Sequence, residues 1–154
     1  MIKYIQGDIL DPSLDLGVLV HGCNCFHTMK SGVAKVIAER YPEAAAVDKL
    51  TSYGDRSKLG SISVASAGDD EHSPLIVNGY IEFNYGREPG HRYVSYDALV
   101  QVMEAVKDIV KDDTETRIGL PKIGAGLGGG DWLIIEAIIN SVFKDREIIV
   151  VTLN

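Results

Sequence analysis

The chain has 154 residues, of which 45% are hydrophobic and 24% charged, and its formal net charge at pH 7 is −7. These values predict one globular domain that spans residues 1–154 and needs neither a disulfide nor a metal ion to fold. The acidic balance argues against binding of nucleic acid through a broad basic face, so backbone N–H groups at glycine-rich turns would have to hold any anionic ligand.

The predicted strands and helices alternate along the chain. Short apolar segments bounded by turn residues predict strands at residues 2–6, 17–23, 61–66, 75–81, 117–120 and 147–153. Helical spacing of apolar residues predicts helices at residues 32–41, 43–52, 95–111 and 132–143, and the last is apolar enough to be well buried. Helices between strands imply crossover connections, and therefore a mostly parallel sheet covered on both faces.

We expect no association with a membrane. The chain contains no run of about 18 apolar residues, and its first residues, MIKYIQGD, lack the basic and apolar regions of a secretory signal peptide. The two cysteines, Cys23 and Cys25, are two positions apart, a separation that does not suit disulfide geometry. Reduced thiols indicate a cytoplasmic location.

Residues 124–130, with the sequence GAGLGGG, form a glycine-rich loop between a predicted strand and a predicted helix. Glycines let the backbone approach a diphosphate closely, and the start of a helix attracts negative charge. A dinucleotide site of the Rossmann type is not expected, since that fingerprint opens a strand–helix–strand unit with an acidic residue about 20 positions later, and only one strand follows here. A tight turn without a ligand is the alternative, but five glycines in seven residues exceed what a turn needs.

The alternation of His21, Cys23, Cys25 and His27 suggests a zinc site at first sight. Six extended residues span about 20 Å, however, whereas the ligands of one zinc ion lie within a few ångströms of each other. We therefore predict no metal site and expect the cysteines to pack as small buried side chains. Asn24 is the better candidate for a ligand contact, because its amide offers both a donor and an acceptor to a sugar hydroxyl.

Three further features each have two interpretations. Asp8, which follows the first predicted strand, forms a turn or accepts a hydrogen bond from an amine or hydroxyl of a ligand. Asp131 caps the helix that it precedes or acts as a catalytic acid, and Trp132 beside it would pack in the core. Residues 80–96, which are aromatic and basic, form an exposed loop or a lid over the ligand.

Four motifs in this order resemble the macro domain family. They are residues 7–10 (GDIL), residues 18–25 (VLVHGCNC), residues 31–34 (SGVA) leading into Arg40-Tyr41-Pro42, and residues 120–127 (LPKIGAGL), and residues 150–153 also fit. The resemblance implies a three-layer α/β/α fold with a mixed, mostly parallel sheet, and ADP-ribose as the ligand. The His-x-Cys-Asn-Cys string and Arg-Tyr-Pro are most similar to the ADP-ribose 1″-phosphate phosphatases of the family.

The resemblance also implies roles for individual residues. Asp8 is expected to accept from the adenine amine, with Ile9 nearby and Leu153 or Asn154 on the same side, and Asn24 to hold the distal ribose. Contacts to the distal ribose and a phosphate are expected from Gly32, Val33 and their neighbours Ser31 and Ala34, and contacts to the diphosphate from Gly124, Ala125, Gly126, Leu127 and Gly128. Further candidates for ligand contacts are Gly7, Cys23, Cys25 and Ile123. His21 matches a proposed catalytic group of the phosphatases. Lys30 stands where many relatives have glycine, and its ammonium would bind a terminal phosphate. No cofactor is implied.

Three functions follow from this resemblance. The leading hypothesis is a phosphatase that converts ADP-ribose 1″-phosphate to ADP-ribose, with His21 as general acid or base. The second is an ADP-ribosyl hydrolase that acts on modified protein or nucleic acid, and the third is a non-catalytic reader of ADP-ribosylated macromolecules. Related glycohydrolases use a lysine after the strand that matches residues 75–79, where this chain has Asn78, Gly79 and Tyr80, so a lysine-adduct mechanism is not expected.

Overall fold

The computed structural model describes residues 1–68 and 72–153. The described strands are β1 (Ile2–Gln6), β2 (Val18–Cys23), β3 (Ile62–Ser66), β4 (Leu75–Tyr80), β5 (Ile118–Leu120) and β6 (Ile148–Thr152). The described helices are α1 (Gly32–Arg40), α2 (Pro42–Lys49), α3 (Tyr96–Ile109) and α4 (Trp132–Val142). Each predicted strand and helix is therefore present, and the largest difference in a boundary is at α2, which ends at Lys49 rather than at residue 52.

The strands form one mixed sheet in the order β1-β6-β5-β2-β4-β3. The pairs β1–β6, β6–β5, β5–β2 and β2–β4 are parallel, and β3–β4 is antiparallel. The exception follows from the connection: β3 ends at Ser66 and β4 begins at Leu75, which is too short a segment for the crossover that a parallel pair needs. The mixed, mostly parallel sheet confirms the expected fold class.

Helices cover both faces of this sheet, so its central strands are buried on both sides. On β2, Val18 and Val20 belong to the apolar cluster that contains Leu99 of α3 and Ile135 of α4. Leu19, between them, faces the opposite cluster, which is formed with α1 and α2. Neighbouring side chains of a strand point to opposite faces, so the run of apolar residues in β2 fills two cores at once.

Helix α3 behaves as its apolar spacing predicts. Its buried side chains, Leu99, Val102, Met103 and Val106, lie three or four positions apart and face the sheet. Burial of each such side chain contributes about 1.5–3 kcal/mol. The Ser95 hydroxyl accepts a hydrogen bond from the Ala98 N–H at 3.1 Å and so starts the helix with a side-chain cap.

The expectation that α4 is well buried was only partly right. Ile135 and Ile139 are fully buried against the sheet, but Leu133 is 73% exposed and Ile134 is 43% exposed. A helix that lies on one face of a sheet buries only one stripe of side chains, and apolar content alone does not identify that stripe. Trp132 is correspondingly half-buried at the edge of the core, where its indole N–H donates to the hydroxyl of Tyr4 at 3.0 Å.

Among residues 1–68 and 72–153, none of the helices is both long enough and apolar enough to span a bilayer.

Candidate functional site

A cleft of about 620 Å³ opens at the carboxyl ends of β2, β4 and β5. The segments that line it are residues 21–24, 28, 30–34, 81–82, 85–87, 121–124 and 126–128. Parallel neighbours in a sheet end at the same edge, so the loops after these three strands meet there. The volume is within the range of small-molecule sites.

The glycine-rich loop after β5 forms one wall of the cleft with bare backbone. Gly124 has a φ of 77°, and its carbonyl accepts from the Gly130 N–H at 2.8 Å, which closes the loop on itself. A Cβ on Gly128 would lie 2.7 Å from that carbonyl oxygen, so this position also needs glycine. A Cβ on Gly126 would meet no atom within 4 Å. Packing thus explains some of the glycines, and the open face at Gly126 leaves room for a ligand.

Four N–H groups of this loop have no hydrogen-bond partner among the described residues: those of Gly124, Gly126, Leu127 and Gly128. All four residues line the cleft. Unpaired N–H groups grouped on one concave turn form a site for an anion.

A second set of unpaired N–H groups lies at the start of α1. Ser31 occupies the N-cap position, but its side chain makes no capping hydrogen bond. The N–H groups of Gly32, Val33 and Ala34 have no partner within the described part of the chain, and these residues also line the cleft. The positive end of the helix dipole is therefore open toward the cleft and favours negative charge.

His21, the predicted catalytic residue, lies at the floor of the cleft and is only 1% exposed. Its Nε2 is 2.6 Å from Oδ1 of Asn78, whose amide nitrogen donates to the Ala44 carbonyl and the Ser63 hydroxyl. The amide oxygen must therefore accept, which assigns the proton to Nε2 and leaves the lone pair on Nδ1. Burial lowers the pKa of His21 to about 4, despite the hydrogen bond that Nε2 donates to Asn78, so the imidazole is neutral at pH 7.

Asn24 lines the cleft, but its amide is engaged within its own loop. Its oxygen accepts from the Phe26 N–H at 2.8 Å, and its nitrogen donates to the Thr28 hydroxyl at 2.6 Å. The side chain thus shapes the turn that ends β2, and one amide hydrogen remains for a ligand. The expected dual contact with a sugar needs a rearrangement of this turn.

The two cysteines face different surroundings. Cys23 lines the cleft, whereas Cys25 is fully buried, and its thiol donates to the Glu82 carbonyl at 3.6 Å. Burial raises the pKa of both thiols, so both are protonated at neutral pH. His27 turns away from the cleft and bonds the Thr51 carbonyl at 2.8 Å. The alternating His and Cys positions do not converge on one point.

The residues predicted to hold the adenine do not line this cleft. Asp8 is exposed, and its carboxylate accepts from the Leu10 N–H at 2.9 Å, which is the turn-forming interpretation. Gly7 and Leu153 also lie outside the lining, and Ile9 lines a separate cleft of about 110 Å³. Asn154 lies outside the described residues. Contacts from these residues to an adenine stay a prediction.

Among the residues expected to contact the diphosphate, Ala125 is the one that does not line the cleft. Its N–H donates to the Lys122 carbonyl at 3.1 Å and its side chain packs against the core, away from the lining. The cleft brings together thirteen of the predicted residues: His21, Cys23, Asn24, Lys30, Ser31, Gly32, Val33, Ala34, Ile123, Gly124, Gly126, Leu127 and Gly128.

The loop after β4, which the sequence indicates to be an exposed loop or a lid, contributes Tyr85 and Arg87 to the lining, together with Glu82, which the sequence did not single out. Further along, Tyr93 and Val94 donate their N–H groups to the Gly128 carbonyl at 2.8 and 3.0 Å, so this loop is bonded to the glycine-rich loop. The signal was available, because β4 ends at the same edge of the sheet as β2 and β5. Whether residues 80–96 close over a ligand stays a prediction.

The charge of the lining differs from that of the whole chain. Lys30, Arg87 and Lys122 line the cleft, and Glu82 is the acidic side chain beside them. Burial raises the pKa of Glu82 to about 7, so much of its charge is absent at neutral pH. In a chain with a net charge of −7, this cleft is an electropositive site built from three cations and two sets of N–H groups.

Comparison with known protein families agrees with this architecture. A model described as the macro domain matches residues 20–139, which include all three loops of the cleft. The chain belongs to the macro domain family. A 17.5 kDa uncharacterized protein of Enterobacteria phage T4 is 38% identical over 98% of this macro domain and 96% of its own length.

Two further relatives are named as enzymes. An ADP-ribose 1″-phosphate phosphatase of Lodderomyces elongisporus is 27% identical and covers 92% of each chain. A DNA ADP-ribosyl glycohydrolase of Mycobacterium tuberculosis is 27% identical over 94% of the macro domain, which spans only 39% of that longer protein. Among solved structures, the macrodomain of Mycobacterium tuberculosis DarG superposes with a TM-score of 0.78 at 22% identity, over 97% of each chain.

Proposed function

We propose that this macro domain binds ADP-ribose in the cleft and hydrolyses the phosphate monoester of ADP-ribose 1″-phosphate. The observation that carries the proposal is the pairing of two sets of unpaired N–H groups, on the glycine-rich loop and on α1, with three cations in one cleft of an acidic chain. A ligand with several phosphates matches that arrangement.

The two sets of N–H groups suit two parts of the ligand. The loop at residues 124–128 would cradle the diphosphate, as the family resemblance implies, while the open start of α1 and the Lys30 ammonium would hold the terminal phosphate. Arg87, from the loop opposite, would add a guanidinium to the same anion. ADP-ribose without the terminal phosphate would leave Lys30, Arg87 and the start of α1 without an anion to bind.

The state of His21 limits its part in the reaction. A neutral imidazole with a pKa of about 4 is a weak base and holds no extra proton to donate at neutral pH. Its Nδ1 lone pair, which the Cys23 thiol contacts at 3.9 Å, can instead accept a hydrogen bond from a ligand hydroxyl or from the attacking water. We therefore retain His21 as a residue that orients the reacting groups and assign the donated proton to another side chain.

Cleavage through a lysine adduct has less support. The positions that related glycohydrolases give to a lysine hold Asn78 and Tyr80, which are fully buried and bonded inside the protein. Lys58, the buried lysine nearby, donates to the Thr51 hydroxyl at 2.7 Å and does not line the cleft. These contacts favour transfer of a phosphate over formation of an amine adduct.

An ADP-ribosyl hydrolase is the second candidate, because the relative named DNA ADP-ribosyl glycohydrolase aligns with 94% of this macro domain. The ligand would be the same, and the broken bond would be the one between the distal ribose and a macromolecule. A reader without catalysis would bind ADP-ribose and turn over none of its derivatives.

The test measures release of inorganic phosphate from ADP-ribose 1″-phosphate, with release of ADP-ribose from modified protein and DNA followed in parallel. Lys30→Gln is the first variant, and Lys35→Gln, which removes a lysine of α1 outside the lining, is its matched control. We expect phosphate release that Lys30→Gln lowers about 10-fold or more and Lys35→Gln leaves unchanged. Release of ADP-ribose from the macromolecules alone would replace the phosphatase by the hydrolase, and no release from any substrate would leave the reader.

A further inference from the structure

We infer that Glu82 is the general acid of the cleft: its protonated carboxyl donates to the ribosyl oxygen that leaves when the phosphate ester of the substrate is cleaved. The inference rests on the proposed phosphatase function and assigns the proton that His21 does not supply.

The backbone fixes Glu82 at the edge of the sheet. It follows β4 by two positions, and the Ile81 and Glu82 N–H groups both reach the Cys23 carbonyl, at 3.2 and 3.4 Å. On its other side Glu82 forms an isolated bridge with Val94. A backbone held from two sides fixes the point from which the side chain enters the cleft, which a group that transfers protons requires.

The carboxyl of Glu82 is half-buried, lines the cleft and makes no hydrogen bond or ion pair with any residue in ranges 1–68 and 72–153. By contrast, Asp55 and Asp113 accept hydrogen bonds from the turns or caps that they form, and the buried Asp48 accepts from the Tyr80 hydroxyl. A sheltered carboxyl that has no protein partner and faces a ligand-sized space is available to a bound molecule.

Burial of Glu82 favours the protonated form of its carboxyl. The β2 residues that line the same cleft are the neutral His21 and Cys23, whose thiol is protonated, and the cations of the lining, Lys30, Arg87 and Lys122, are farther than ion-pair distance among the described residues. Burial raises its pKa to about 7 with no opposing charge. A bound terminal phosphate adds negative charge nearby and raises the pKa of Glu82 further, so the substrate itself favours the acid form.

The chemistry of the ester requires such a group. Water forms a bond to phosphorus while the bond from phosphorus to the ribosyl oxygen breaks, and the leaving oxygen takes the proton of Glu82. The water then loses a proton to the resulting Glu82 carboxylate, which restores the acid, and ADP-ribose and inorganic phosphate are released. A sugar oxygen is a poor leaving group unless it is protonated, and general acid catalysis contributes about 10²–10⁴-fold to such a step.

Two variants separate this role from a structural one. Glu82→Gln keeps the size and removes the transferable proton, and Glu88→Gln makes the same change at an exposed residue of the same loop that does not line the cleft. The measurements are kcat and KM for ADP-ribose 1″-phosphate from pH 5 to 9, and the Kd of ADP-ribose from calorimetry in the same samples.

We expect Glu82→Gln to lower kcat about 10²-fold or more while the Kd of ADP-ribose changes less than about 3-fold, and Glu88→Gln to match the wild type. In the wild type, kcat falls as the pH rises above the pKa of Glu82 in the complex, and this decline is missing from the residual rate of Glu82→Gln. A Glu82→Gln variant that keeps kcat, or that keeps the alkaline decline, overturns the assignment and leaves the phosphatase standing. A wild-type protein that binds ADP-ribose and releases no phosphate overturns both.

Discussion

The burial of the Glu82 carboxyl predicts how the free energy of unfolding depends on pH, which can be measured without a substrate. In the unfolded chain it titrates near its ordinary value of 4.5, and in the folded protein burial raises the pKa to about 7. The folded pKa is the higher one, so Glu82 contributes no penalty well below pH 4.5, stability is lost as the pH rises from about 4.5 to about 7, and the loss stays constant at higher pH. One pKa unit corresponds to about 1.36 kcal/mol, which gives an upper value of about 3 kcal/mol at pH 8.

Solvent that enters the cleft reduces this cost, and we expect about 2 kcal/mol. Glu82→Gln removes the titration, so the variant should exceed the wild type in free energy of unfolding by only about 0.5 kcal/mol at pH 5 and by about 2 kcal/mol at pH 8. Urea unfolding monitored by the fluorescence of Trp132, the single tryptophan, measures the difference at both pH values. Thermal unfolding should show a gain in Tm of about 4–8 °C at pH 8.

Glu88→Gln is the control, because it makes the same chemical change at an exposed glutamate of the same loop that does not line the cleft. A Glu82→Gln variant whose advantage over the wild type is the same at pH 5 and pH 8 would refute the reasoning, since Glu82 would then titrate alike in the folded and unfolded chains.

Three further predictions concern other parts of the site and its support. Gly126→Val places a side chain where a Cβ meets no protein atom within 4 Å, so calorimetry should show ADP-ribose affinity reduced about 10-fold or more, with Gly126→Ala intermediate and Tm of both variants near that of the wild type. The pKa of His21 is about 4 in the folded protein against 6.5 in the unfolded chain, so its contribution to stability is complete above pH 6.5 and is lost as the pH falls toward 4. His21→Gln should therefore make the free energy of unfolding in urea less sensitive to pH between 6.5 and 4. An unchanged dependence on pH would contradict the low pKa. Tyr80→Phe removes the hydroxyl that donates to the buried Asp48 at 2.8 Å and should cost about 1–3 kcal/mol in urea unfolding, whereas a neutral change would mean that Asp48 is satisfied otherwise.

The elements of the fold could be predicted because their signals are local. The spacing of Leu99, Val102 and Val106 identifies α3 from the sequence alone, and the apolar run of β2 indicates a strand buried on both faces. The exposed face of α4 could not be predicted in the same way, since Leu133 and Ile135 are equally apolar, and only the position of the helix on the sheet decides which of them is buried.

The parts of the site that depend on backbone N–H groups could be predicted from the sequence. The parts that depend on the burial of a side chain in the folded protein could not. The glycine run at residues 124–130 identifies the anion-binding loop from the sequence alone, because an ordinary turn needs fewer than the five glycines found there. The hydrogen bond between His21 and Asn78 joins residues 57 positions apart, so the tautomer and low pKa of His21 have no signal in its own segment. Glu82 looks like an ordinary polar residue after a strand until the cleft that removes its solvent is known.

The central claim is that this cleft binds ADP-ribose, and calorimetric titration of ADP-ribose into the purified macro domain tests it most directly. The account predicts saturable one-to-one binding that is weakened by Gly126→Val, with a negative change in heat capacity from burial of the adenosine. Absence of binding to the wild type at about 1 mM ADP-ribose, which corresponds to an affinity weaker than about 4 kcal/mol, would contradict the account.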